Sequence, residues 1–390
     1  MKKKIIFVTE ALWIGGIETA LINLLKHLDY EKYDVTCLIL RDDRTMASHL
    51  PEQCSLIVAD REHVVSFQHP YQFSRVFHLT EEACNPSPLH RALMFLVPVI
   101  RWIENRLYIR YVRKNLKDKH FDTCVIYSDR TAETAVRGIR ADKYLMFYHH
   151  GAMRREYHDE IGYRKSKKII AVSNVVETAL RSFRPRYAHK MITVHNLADV
   201  AGLRRKAADP ISEAFSPDKF HIVSCGRVSQ EKGMDLAVEA CAELVRNGHR
   251  NIHWWIVGGG PAEGEVRRKI SDLHTEDHVT MLGMKCNPWP YIQQADLYVQ
   301  PSRFEGYPMT ILEALILGRV VVSTDNGGAA ELIRNEETGL LCPISAEGIA
   351  NTVQKLLENS TQLEDLRQNV AAIDMEDENK KIIRQLEELL

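Results

Sequence analysis

Two acids stand eight residues apart in the stretch Ser302–Gly318, Glu305 ahead of Pro308 and Glu313 beyond it. A mostly apolar run over 295–299 precedes them and reads as a buried strand. Pro308 suits the first position of a helix, where its missing N–H costs nothing. Met309, Leu312, Leu315 and Ile316 would form that helix's buried stripe, and Gly318 its stop. Glu305 then lies in the turn and Glu313 in the second helical turn. Between them Gly306, Tyr307, Met309 and Thr310 offer backbone N–H groups at a positive helix end, a natural seat for a diphosphate. A second constellation is Gly226-Arg-Val-Ser-Gln-Glu-Lys-Gly233. Its Arg227 and Lys232 sit in a loop that opens a helix and could neutralise a diphosphate from two sides. Gly15-Gly16 and Gly258-Gly259-Gly260 each follow an apolar strand pattern, where glycine lets backbone approach a ligand closely.

Neither glycine turn is a dinucleotide fingerprint. The first lacks Gly-x-Gly-x-x-Gly, and the strand after the second ends Met281-Leu-Gly-Met-Lys285 with no acid for a ribose. A nucleotide base resting against Gly258–Gly260 and the 284–287 segment, which includes Lys285, fits better. A further chemical group closes a strand pattern at Tyr148-His149-His150-Gly151, where a histidine would point into a cleft. The residues alone leave either histidine open.

At Glu305-x7-Glu313 the chain resembles the retaining glycosyltransferases of family 4. Four more stretches match in order: Gly15-Gly16, His150-Gly151, Arg227 with Lys232, and Gly258-Gly-Gly. The resemblance covers the chain except about 60–119, and it is most specific in the back half. It implies a GT-B fold, in which two Rossmann-like domains face a central cleft and the last helix crosses back to the first. It also implies a nucleoside-diphosphate sugar as donor. Arg227, Lys232 and the glycine loop at Gly15 and Gly16 would then face the diphosphate, and Glu313 would hold the ribose. Glu305 and His150 would lie at the sugar as the catalytic pair. Gly306, Tyr307, Pro308, Met309 and Thr310 would cradle the phosphates, with Gly258, Gly259 and Lys285 near the base. The resemblance further implies retention of configuration. Uridine is the preferred base, and no metal or other cofactor is expected, because fixed cations can do that work. Ser173 and Asn196 match the family's strand endings before the interdomain crossing.

The elements that must position these groups alternate clearly in the back half. Strand patterns at 220–225, 253–257, 279–282, 295–299, 320–323 and 339–341 are each followed by a helical pattern. That alternation predicts an α/β, doubly wound parallel sheet. The front half shows strand patterns at 5–8, 35–40, 121–127, 143–147, 169–174 and near 192, with 61–90 patternless. The expected division is a domain over 1–198, a nucleotide-sugar domain over 199–374 and a tail helix over 375–390. Arg204-Arg205-Lys206, Pro210 and Pro217 mark 198–218 as a patternless hinge. Helices are expected at 232–247, 262–274, 288–294, 308–317, 328–334 and 345–358.

With 390 residues, 45% hydrophobic and 26% charged, the chain suits two domains of a soluble globular protein. Glu10 ends the first apolar run too early for a signal peptide, and no run suffices to span a membrane. Eight cysteines without Cys-x-x-Cys read as buried thiols of a reducing cytoplasm. The net charge of −1 hides an asymmetry. Residues 1–200 carry 31 Lys and Arg against 23 Asp and Glu, and residues 201–390 carry 20 against 29. Basic residues interleave with Trp102, Tyr108 and Tyr111 across 91–119, as on helices at a lipid interface. The expected partners are therefore a nucleotide-sugar donor, a lipid-linked saccharide or glycan acceptor, and an anionic surface on the inner membrane face; nucleic acid is not among them. Rival readings are an epimerase or phosphorylase of the same fold, or a non-catalytic copy. The intact Glu305, Glu313, Arg227 and Lys232 weigh against the last.

Overall fold

The computed structural model describes residues 1–60, 102–103, 105–149, 153, 160–213 and 215–390. Two sheets organise them, and every strand pair in both is parallel. The first holds β1 (Lys3–Thr9), β2 (Tyr33–Ile39), β3 (Ser55–Val58), β4 (Phe121–Ile126), β5 (Ala141–Tyr148), β6 (Lys168–Ala171) and β7 (Met191–Thr193). Their order is β3-β2-β1-β4-β5-β6-β7. The second holds β8 (Phe220–Cys225), β9 (Ile252–Val257), β10 (Val279–Gly283), β11 (Leu297–Gln300), β12 (Val321–Thr324) and β13 (Gly339–Cys342). Their order is β10-β9-β8-β11-β12-β13.

Both orders reverse direction at a central strand, and there the loops beyond neighbouring strands diverge to open a crevice. In the second sheet the switch lies between β8 and β11. The Arg227 loop follows β8 and the Glu305 turn follows β11, so the topology alone makes them neighbours. Near-continuous burial along β1, β8 and β9 is what strands covered on both faces require.

The last helix, Met375–Glu387, returns to the first sheet. Leu386 and Leu390 join the core built around β1 and β4. Thr123 Oγ1 donates to the Leu390 carbonyl at 3.2 Å, and Asn379 Nδ2 to the Ala198 carbonyl at 2.7 Å. The crossing is therefore held by burial at its far end and by a backbone contact near its start.

Three expectations need correction. The segment 198–218 is not patternless: Val200–Ala207 is a helix, capped by Asp199, whose Oδ1 accepts from the Gly202 amide at 2.9 Å. The basic run at 204–206 falls in its last turn, where cations complement the helix dipole. No full helix forms over 328–334, only the short turn Ala329–Glu331. The Asn326 side chain accepts from the Ala329 amide at 3.1 Å and substitutes a local turn for a first helical turn. The strand expected to open at 295 begins at Leu297, since Ala295 still closes the helix Trp289–Gln294. The patternless 61–90 stretch and the front of 91–119 lie outside the described residues.

Candidate active site

Glu305 follows β11 and is 6% exposed, so it is neither a solvated loop acid nor idle. One carboxylate oxygen accepts from Lys232 Nζ at 2.7 Å. The other accepts from Ser302 Oγ at 2.7 Å and Gln300 Nε2 at 3.1 Å. Gln300 is itself fixed, its Oε1 accepting from the Tyr298 hydroxyl at 2.6 Å and Thr310 Oγ1 at 2.9 Å. A buried carboxylate with this many donors is held still. Gln300 and Ser302 escaped the sequence reading; their signal was two polar residues alternating out of an apolar strand end.

Lys232 reaches Glu305 because its loop is bolted to the Glu305 turn. Arg303 holds Asp235 through two contacts of 2.8 and 2.6 Å, and its amide donates to the Glu231 carbonyl at 2.8 Å. Gly233 has φ +65°, and a Cβ there would lie 2.0 Å from the Pro301 carbonyl oxygen. Only glycine permits that approach. Arg227, exposed on the same loop, makes no ion pair among the described residues.

The helix Met309–Ile316 begins after Pro308, which sits just outside it as the cap residue and offers no side-chain cap. The first-turn amides, including those of Met309 and Thr310, lack intrahelical partners by geometry and point where a diphosphate would add charge-assisted bonds. Glu313, in the second turn of this helix, is 6% exposed. Burial pushes its carboxyl up to about 7, and the nearby Trp289 indole offsets part of that rise. An acid this poorly compensated suits one that awaits a ligand donor.

The two glycine turns have different reasons. A Cβ at Gly258 would lie 1.9 Å from the Gly226 carbonyl oxygen, and one at Gly260 2.4 Å from that of Val228. These glycines let the 258–260 turn pack directly under the Arg227 loop; Gly259 has only ordinary contacts. At Gly15 a Cβ would meet Glu18 Oε2 at 2.4 Å, whereas Gly16 faces open space. Glu18, 4% exposed, is another residue the sequence reading passed over; burial pushes it up to about 7, a rise that its own backbone amide, the Trp13 indole and, least, Arg227 partly offset. Lys285, expected near the base, places its Nζ 2.6 Å from Glu213 Oε1.

His150 and Gly151 lie outside the described residues. His149 packs its ring against Tyr127, with centroids 4.6 Å apart, and against Phe147 at 5.8 Å. Ser173 proves to be a helix cap, accepting from the Val176 amide at 3.2 Å. Asn196 follows His195, which stacks on Tyr307 at 5.2 Å.

That stack is one half of a junction between the two sheets. Glu331 reaches across to accept from the backbone amides of Asn174 and Val175, each at 2.8 Å, and from Asn174 Nδ2 at 2.9 Å. It also pairs with His195 Nε2 at 2.9 Å. The carboxylate thus sits at the amino end of the helix Asn174–Phe183, where the dipole favours it. Glu331 thus ties the carboxyl edges of both sheets together.

Residues 206–372, which contain every site residue of the second sheet, match the family model described as glycosyl transferases group 1. An alpha-D-kanosaminyltransferase from Streptomyces kanamyceticus is 30% identical over 217 residues, 53% of this chain and 56% of that protein. From Campylobacter jejuni, N-acetylgalactosamine-N,N'-diacetylbacillosaminyl-diphospho-undecaprenol 4-alpha-N-acetylgalactosaminyltransferase is 32% identical over 155 residues, 40% of each chain. The match thus spans about half the length of the first of these proteins and less of the second. Over the whole chain the fold is similar to the crystal structure of Anabaena HepE in complex with UDP. That similarity has a TM-score of 0.68 at 18% identity and covers 99% of this chain and 100% of that one. The chain has the GT-B fold.

Proposed function

We propose that this protein is a retaining glycosyltransferase that moves a hexose from a nucleoside-diphosphate sugar, uridine-linked, to a lipid-linked saccharide or glycan. The acceptor reading draws on the diphospho-undecaprenol named in the Campylobacter relative and on the basic flank of the first domain. It places the work at the inner face of a bacterial membrane, in surface polysaccharide synthesis. One observation carries the reading. Glu305, Lys232 and the uncapped helix start at Met309 converge at the topological switch point, with Arg227 beside them and buried Glu313 behind.

As the bond between the anomeric carbon and diphosphate breaks, negative charge grows on the leaving phosphate and positive charge on the ring. Arg227, Lys232 and the amides at 306–310 meet the first; removing one such preorganised donor typically costs about 3 kcal/mol of barrier. Lys232 has three N–H donors and binds Glu305 with one, so the others can reach a phosphate oxygen. Glu305, held by Ser302 and Gln300, positions the sugar and steadies its developing charge. The leaving phosphate oxygen takes the acceptor hydroxyl's proton on the same face, which preserves configuration. These cations do the charge work of a metal, so transfer proceeds without one. Glu313 accepts the ribose hydroxyls.

The test is incubation with UDP-glucose and related donors, with EDTA and an undecaprenyl-diphosphate-linked saccharide, followed by NMR of the anomeric centre. Retained configuration supports the proposal. Inversion or a divalent-ion requirement defeats its mechanistic part. Donor turnover without acceptor favours an epimerase.

A further inference from the structure

A second cationic site lies at the opposite edge of the first sheet from the cleft. Between the start of β4, the start of β5 and the end of the helix over 105–115 is a cavity of about 690 Å³. Its lining carries Arg113, Lys117, Lys119, Arg137, Arg140 and His120 against a single acid, Asp118. His120 is engaged by Asp142 at 3.0 Å and Arg137 by Glu133 at 3.1 Å. Lys119 and Arg140 have no acidic partner among the described residues. Lys117 lies 3.8 Å from Asp118, so Arg113, Lys119 and Arg140 are the lining cations without a carboxylate partner among the described residues, and an anion between them would relieve their mutual repulsion.

The helix that feeds this cavity shows what kind of anion. Tyr108 and Val112 bury one face, while Leu107, Arg110, Lys114 and Lys117 follow each other at helical spacing on the exposed one. The helix starts at the carboxyl edge of the sheet, where the Tyr108 hydroxyl donates to the Ala59 carbonyl at 2.5 Å, and ends at the amino edge beside the cavity. At its cleft end Trp102, Ile103 and Leu107 are 56%, 47% and 48% exposed, with the Arg106 guanidinium 4.2 Å over the Trp102 ring. Apolar and aromatic groups at one end of an exposed stripe and cations along the rest are the composition of a surface that lies on a bilayer.

We propose that the Arg113–Arg140 cavity binds the phosphate headgroup of an anionic lipid, laying the flank of the first domain on the membrane. Trp102 and Leu107 then enter the interface beside the cleft mouth. This deepens the acceptor reading above and rests on it: a lipid-linked acceptor would enter the cleft from the plane in which the headgroup is held. The rival account is that these cations only complement helix carboxyl ends, as at the end of the helix Ala132–Gly138.

The experiment is flotation of the full-length protein with phosphatidylcholine vesicles, alone or with phosphatidylglycerol, at low and high salt. The wild type is compared with Arg113→Glu/Arg140→Glu. A cation near an anionic surface is worth about 1 kcal/mol, roughly fivefold, so losing two lowers capture at least about 25-fold. Capture that needs phosphatidylglycerol, weakens with salt and falls this far in the variant is the expected result. Equal capture of variant and wild type, or none of the wild type, overturns the proposal. So does inorganic diphosphate that raises the melting temperature of the wild type and not the variant without vesicle capture, since the cavity would then serve a soluble phosphate. UDP titration of both proteins separates the two claims, because neither residue lines the cleft. UDP binding without capture removes the headgroup site alone; capture without UDP binding removes the transferase reading alone.

Discussion

Replacing Glu313 by glutamine should stabilise the protein at alkaline pH while weakening its grip on nucleotide. The carboxyl is buried, and its folded value of about 7 lies above the ordinary 4.5. A raised acid costs nothing below its unfolded value, begins to cost as pH passes 4.5, and costs in full above 7. Linkage gives a penalty of roughly 1 kcal/mol at pH 5 and roughly 3 kcal/mol at pH 8. Glutamine carries no charge and removes that pH dependence, at the expense of a buried amide wanting partners. Between those pH values the variant should therefore gain roughly 2–3 kcal/mol on the wild type. Urea unfolding followed by tryptophan fluorescence at both pH values measures this, since Trp254, Trp255 and Trp289 all lie in the second domain. At pH 8 the same variant should lose roughly 1.5–3 kcal/mol of UDP affinity through its missing charge-assisted bonds to ribose. Wild-type affinity should fall as pH drops through 7 and the carboxyl takes up its proton. A stability difference that stays constant from pH 5 to 8 would refute the argument, as would unchanged UDP affinity.

The other site residues separate by what they touch. Glu305→Ala should depress kcat while UDP still binds, and Lys232→Ala should lower both; identical losses of UDP affinity would contradict the division of labour. Lys232→Ala also leaves Glu305 buried without its cation, so it should cost up to about 3 kcal/mol of stability, read from the urea midpoint. Glu331→Ala removes the acceptor for two helix amides, Asn174 Nδ2 and His195. It should cost roughly 1–3 kcal/mol and raise hydrogen exchange at the amides of Asn174 and Val175; unchanged exchange would show that the two sheets do not rely on this carboxylate. Gly233→Ala must push against the Pro301 carbonyl at a positive φ, so it should lower the melting temperature and UDP affinity together, whereas Gly16→Ala, facing open space, should leave the melting temperature alone.

The second domain was legible because its strands are short apolar runs and its turns carry glycine, so periodicity and punctuation agreed. Its strand order was not written locally, yet that order brings Arg227 and Glu305 together. Ser55–Val58 went unseen because a half-buried edge strand of four residues has too little pattern to stand out. The helix Val200–Ala207 was lost behind three consecutive basic residues that tertiary packing places in its last turn. Lys285 looked available in sequence, and only the fold shows it held by Glu213, 72 residues away. Gly258 read as ligand-facing, whereas the close approach that demands it is the Gly226 carbonyl of a neighbouring loop. Glycine reports that something comes near without saying what.

The central claim is that Arg227, Lys232, Glu305, Glu313 and the amides at 306–310 form a nucleoside-diphosphate site. Calorimetric titration of the purified protein with UDP in the presence of EDTA tests it most directly. Saturable binding to one site is predicted, and at a hundredfold excess over Kd it should add about 2.7 kcal/mol to folding stability. Absence of heat with UDP and with the guanosine and adenosine diphosphates would contradict it, as would binding that Arg227→Ala and Glu313→Gln leave untouched.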